Sequence, residues 1–112
     1  MVKTVNKKVS VGNNSSTIET VQDKVFLAAE IEIFGSIINS FAGEGTQYQY
    51  YKNATANRYK MPKYDSSFVS QTYWERSASN WNSNSFSDIY MDGSDYWNWA
   101  NNNLGIAPCF CI

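Results

Sequence analysis

A chain of 112 residues is one domain, long enough to bury a core without disulfides or a metal. Charged residues make up 17% and aromatics 16%, so solubility rests on Asn, Ser and Thr more than on charge, and such surfaces are adhesive and adaptable. The net charge is -1 and the basic residues are scattered from Lys3 to Arg76, which excludes nucleic acid as a partner, and no apolar run approaches the roughly 20 residues of a membrane span.

Residues 2–11, VKTVNKKVSV, are β-branched and loosely alternating, which predicts a strand or extended arm. Residues 12–23, GNNSSTIETVQD, read as a turn-rich loop. KVFLAA (24–29) predicts a short buried strand. AAEIEIF (28–34) either continues that strand by alternation or opens a helix, and Gly35 stops both. GSIINSFAGEG is a loop with some apolar contacts. Tyr48, Tyr51 and Tyr59 have near-helical spacing, predicting a short helix over 46–57, with Pro62 ending the region. A strand is expected in 66–79, centred on Tyr73 and Trp74. FSDIYM, the turn Asp92-Gly93 and SDYWNWA predict a hairpin. NNNLG is a turn, and IAPCFCI a final strand with Pro108 at an edge or a strand start.

Histidine is absent, which removes the commonest general base and metal ligand and every Ser-His or Cys-His nucleophile pair. GEG at Gly43–Gly45 lacks the rest of a phosphate loop and reads as a turn. Glu30 and Glu32 would share a strand face, and like charges so close imply an exposed one. Asp88, Asp92 and Asp95 surround the hairpin without matching a calcium loop, and whether an ion binds there stays open. Cys109 and Cys111 read as small buried hydrophobes. Of Glu75 and Arg76, one faces the core, and Arg76 is expected to tie loops together. Alternation puts Tyr96 and Asn98 on one face and Trp97 and Trp99 on the other. Trp97 and Trp99 are expected in the core, while Tyr90 and Tyr96 fit core or partner surface equally. No residue is assigned a catalytic or metal-binding role, and no cofactor is expected.

DKVFLAAEIEIFG, EGTQYQYYKN, YWERSAS, DIYMDG and GIAPCFCI, in this order, resemble a domain of unknown function common in Firmicutes and their phages. Its members typically read Lys-Leu-Phe-Leu-Leu-Ser-Glu-x-Glu-Val-Phe-Gly, then Glu-Gly-x-Gln-Tyr-x-Tyr-Tyr, then Trp-Trp-Leu-Arg-Ser, ending in Gly-Val-Arg-Pro-Ala-Phe-Cys-Ile. This chain departs from that pattern at Ala28-Ala29, at Glu75 in place of Leu, and at Ala107 in place of Arg. The resemblance implies an α+β, C-type-lectin-like fold of short antiparallel strands, one or two short helices and long Asn/Ser-rich loops. It further implies a single domain over residues 1–112, the C-terminal portion of the family domain shortened at its N-terminus. Lectin-like folds serve as receptor-binding modules, and no enzymatic activity follows. The sugar-binding calcium motif of lectins, Glu-Pro-Asn with a following Trp-Asn-Asp, is absent.

The expected function is a non-enzymatic binding module of a phage virion or bacterial surface. Its ligand would be a host surface protein or glycan, held by Trp81, Asn82, Asn84, Tyr90, Tyr96, Asn98, Asn101 and Asn102. The alternative is a structural domain that packs against other virion subunits or forms a homo-oligomer. The opening stretch lacks the apolar run of a signal peptide, so surface placement would not use one.

Overall fold

A computed structural model of the chain describes residues 1–10, 16–60 and 71–112. The expected stop at Pro62 and the first part of the strand expected in 66–79 lie outside these residues.

Two antiparallel sheets carry the fold. In the first, β1 (Val5–Ser10) pairs with β2 (Ile18–Asp23), from Val5 opposite Asp23 to Ser10 opposite Ile18. The loop expected over 12–23 therefore gives way to a strand at its end. Ile18, Thr20 and Val21 are β-branched, and β1 supplies the backbone partners that an alternating pattern alone did not announce. In the second sheet, β3 (Tyr73–Ala78), β4 (Ser85–Ile89) and β5 (Asp95–Trp99) run in the order β3-β4-β5. A register shift between Trp74 and Ala78 bends β3.

The hairpin between β4 and β5 is set by local chemistry. The Gly93 amide donates to the Tyr90 carbonyl at 2.8 Å, and the Tyr90 amide to the Ser94 carbonyl at 2.9 Å. Gly93 takes φ 84°, closing a three-residue loop of the kind that needs a left-handed last position. Asp92 accepts from the Ser94 amide at 2.9 Å, which fixes the turn from the side.

The alternative left open over 28–34 resolves as a helix, α1 (Glu30–Phe34), which ends at Gly35 with φ 74°. Glu32 reaches back to the Ala29 amide at 3.0 Å and satisfies one of the free donors of the first turn. KVFLAA opens with a bend at Lys24 and Val25 and forms no strand. Only Phe26 bridges, exchanging both backbone bonds with Cys109. The helix expected over 46–57 is instead two 3-10 turns, Gln49–Tyr51 and Thr55–Arg58. Asn53 at φ 55° separates them and breaks any continuous helix.

The C-terminal segment is extended rather than a full strand. Gly105 bridges Tyr73, Cys109 bridges Phe26 and Cys111 bridges Lys3. It lies over the core with Ala107 and Cys109 half-buried and Ile106, Pro108 and Phe110 exposed. The cysteines are therefore not both buried hydrophobes: Cys111 is exposed, and both are free thiols.

The apolar core is small: Ala28, Ile33, Tyr51, Tyr73 and Ile89, flanked by Phe34, Tyr48, Ala107 and Cys109. Each fully buried Ile contributes about 1.5–3 kcal/mol. Around this cluster the interior is polar, with Glu30, Glu32, Glu44, Glu75 and Asp88 all buried. The exposed face expected for Glu30 and Glu32 is thus overturned, because a helix rather than a strand carries them into the protein.

Candidate functional site

Arg76 organises the buried charges. Its guanidinium forks onto Glu32, with Nη1 to Oε2 at 2.6 Å and Nη2 to Oε1 at 3.0 Å. It also donates to the carbonyls of Lys8, Leu27 and Glu44 at 3.0, 2.9 and 2.9 Å. One side chain in β3 thereby joins β1, the segment before α1 and the loop after it, as the sequence led us to expect. Lys7 adds a second cation on Glu32 at 2.8 Å. Burial pushes the Glu32 carboxyl up, but hydrogen bonds from Arg76, Lys7 and the Ala29 amide outweigh it and hold it below the usual range. Glu44 accepts from the Ser10 amide at 3.1 Å and from the Ser77 hydroxyl, closing the network.

The second sheet presents aromatics to solvent. Rings follow one another along β5: Tyr90 to Tyr96 at 5.7 Å, Tyr96 to Trp97 at 6.4 Å, and Trp97 to Trp99 at 5.9 Å between centroids. Tyr96 is 50% and Trp99 47% exposed. The core position expected for Trp97 and Trp99 is therefore corrected. β5 is an edge strand, and α1 packs against β3 at the other edge, which leaves Trp97 half-buried and Trp99 exposed outside the apolar cluster. On the outer face, Trp74 stands edge-on to Phe86 at 6.4 Å, two contributors to the exposed surface that reading the loops alone missed.

The eight residues picked out in the sequence divide into three groups. Tyr90, Tyr96, Asn98 and Asn102 share the outer face. The Asn98 amide donates to Asp88 at 2.6 Å, and the Asn102 amide to Asn98 at 3.0 Å. Asn84 and Asn101 flank a shallow recess beside Trp99 and Ala100, and Asn82 holds the turn by accepting from the Asn84 amide at 3.3 Å. Trp81 stands apart: its ring is exposed, but its indole N–H donates to Asn39 Oδ1 at 2.8 Å. Asp88, beneath Asn98, is fully buried, and burial pushes its carboxyl up to about 6 against the opposing bond from Asn98.

A cavity of about 910 Å³ opens elsewhere, between β1 and the C-terminal segment. Phe26, Tyr48, Tyr51 and Phe110 line it, with Lys7 at its wall. The Lys7 ammonium lies 4.3 Å from the Phe26 ring centre and donates to the Tyr48 hydroxyl at 2.6 Å. Such a concave, aromatic-lined space is of the size that holds small ligands.

A different group of acids gathers inside. Glu30, Glu75 and Asp95 each place an oxygen within 4.8 Å of the others. Burial, then the negative charges of Asp95, Glu30, Asp88 and Glu44, push Glu75 well above the carboxylate range. Asp95 is likewise raised, by burial and then by Glu30. Sequence spacing could not assemble these three, which come from α1, β3 and β5. The one available signal was Glu75, at a position where the pattern that the chain resembles has Leu.

No helix among the described residues is long and apolar enough to cross a membrane. No curated protein matches the chain, and no solved structure matches it. A family model described as a domain of unknown function, DUF6273, matches residues 1–112. The chain therefore belongs to the DUF6273 family.

Proposed function

We propose that the chain is a non-enzymatic binding module of C-type-lectin-like architecture, carried on a phage particle or bacterial surface, that holds a host-surface glycan or protein. The observation that carries this reading is the run of rings around an edge strand, from exposed Tyr90 and Tyr96 on the outer face past half-buried Trp97 to exposed Trp99. Flat exposed rings stack on the apolar faces of sugars and on aromatic side chains of a partner. Asn84, Asn98, Asn101 and Asn102 stand beside the row, and each amide offers donors and an acceptor for hydroxyls or backbone. Trp81, Tyr90 and Tyr96 are 62%, 39% and 50% exposed, which supports a display surface over a shared core.

The test is binding of the full chain to a glycan array and to wall preparations of candidate hosts, followed by tryptophan fluorescence. Tyr96→Ala and Trp99→Ala are expected to lose binding while melting within a few degrees of the parent. Retained binding in both variants would sink the proposal.

A second reading rests on the position of β5. An edge strand with exposed aromatics pairs readily with another copy. Sedimentation velocity over a concentration range separates the two: a dimer dissolved by Trp99→Ala favours assembly, and a monomer that binds glycan favours display.

A further inference from the structure

Three carboxylates from distant parts of the chain meet inside the protein, at the start of α1 (Glu30), within β3 (Glu75) and at the start of β5 (Asp95). Glu30 and Glu75 are 0% and 2% exposed, while Asp95 is half-buried and gives access from solvent. Glu30 accepts from the Ile38 amide at 2.8 Å, the Asn39 amide at 2.9 Å and the Ser40 hydroxyl at 2.8 Å. Three donors on one carboxylate are the surroundings of an anion. Among the described residues, neither oxygen of Glu75 has a hydrogen-bond partner, nor has Asp95 Oδ2. The buried hydroxyls of Ser85 and Ser87 also lack partners. The β4 pleat puts both serines on the side of Ile89, whose register partners are Tyr73 and Asp95. The cations Lys7 and Arg76 are turned toward Glu32 instead.

Buried carboxylates crowded in this way either hold protons or draw in a positive charge, and an ion that enters displaces those protons. We propose that Glu30, Glu75 and Asp95 form a calcium site, completed by the Ser87 hydroxyl and water. All the donors are oxygens, which selects a hard ion over soft metals. Three oxygens that all lie within 4.8 Å of one another are close enough to share one ion at about 2.4 Å each, the calcium distance. The ion would pin α1 to both the first and last strands of the second sheet.

The experiment titrates calcium into the full chain after treatment with a chelator, followed by calorimetry and thermal melting. A single ion per chain is expected, with Tm rising as calcium is added. Terbium replaces calcium in a parallel titration. Its emission is excited through tryptophan, because Trp81 bonds Asn39 at 2.8 Å and the Asn39 amide bonds Asp95 at 3.0 Å. Glu75→Gln keeps the shape, removes one ligand carboxylate, and is expected to fold and weaken ion binding at least about tenfold. Asp92→Asn, in the exposed turn, is expected to bind as the parent does. A Tm indifferent to calcium, full terbium emission from Glu75→Gln, or an equal response to magnesium overturns the proposal.

Discussion

Arg76→Ala removes five donated hydrogen bonds at once, two to the Glu32 carboxylate and three to carbonyls of separate segments. The larger loss is electrostatic. Glu32 is 2% exposed and would be left with Lys7 as its cation and with the Ala29 amide. Stranding one partner of a buried pair costs about 3–5 kcal/mol. The Arg76 side chain is itself only 9% exposed, so water does not easily replace it. We expect a loss of about 4 kcal/mol, a large part of the roughly 5–15 kcal/mol that holds a domain of this size together. Arg76→Lys keeps the charge but loses the planar fork, and should cost about half as much. The assay is urea unfolding followed by tryptophan fluorescence, with Glu32→Gln and the double variant completing a cycle. Glu32→Gln in the Arg76→Ala background should cost less than in the parent, because the partner is already gone and the substitution removes the stranded charge. Strict additivity, or a loss under about 1 kcal/mol for Arg76→Ala, would refute the account of Arg76 as the tie between segments.

Asp88 titrates at about 6 in the folded chain against about 3.9 when unfolded, so the native state keeps a proton that the unfolded chain has released. Its contribution makes stability fall as pH rises from about 4 to about 6, by up to about 3 kcal/mol. Asp88→Asn should therefore raise the urea midpoint at pH 7, leave it unchanged near pH 4, and flatten the slope between. Glu32 acts in the opposite sense, losing its contribution as pH falls through its lowered pKa. At Gly35, φ is 74° and a Cβ would meet Gln47 Oε1 at 2.8 Å. Gly35→Ala should cost about 1–2 kcal/mol by thermal melting, and a neutral result would mean that the end of α1 moves freely.

The hairpin around Asp92-Gly93 was legible in the sequence because its determinants are local: an Asp side chain, a glycine and alternating neighbours. α1 was half legible, since AAEIEIF satisfies both periods over so short a stretch and only burial decides between them. The 3-10 turns read as one helix because tyrosine spacing mimics a helical face, while Asn53, the residue that breaks it, has no strong signature. β2 was missed because its exposed face carries polar residues and its register comes from β1. The same blindness to distant partners hid the acidic cluster, whose members stand far apart in the chain. Trp97 and Trp99 misled because aromatic residues on alternate positions read as core unless the strand is known to be an edge. Tyr90 and Tyr96 stayed open between core and surface because alternation alone does not say which face of a sheet is covered, and the structure leaves both exposed.

The bridges from Cys109 to Phe26 and from Cys111 to Lys3 also set an order of events. Ala107 and Cys109, which pack against the core, leave the ribosome after every element they cover. Until then Phe26 lacks its backbone partner and one wall of the cavity is missing. The Arg76 tie to Lys8 and Leu27 likewise spans most of the chain. A fold closed by such distant contacts is slow to form and exposes its strand edges while it waits. On a nascent chain, therefore, Phe26 and the cavity wall stay incomplete until the segment around Cys109 has emerged, and strand edges are open to wrong pairings over that interval.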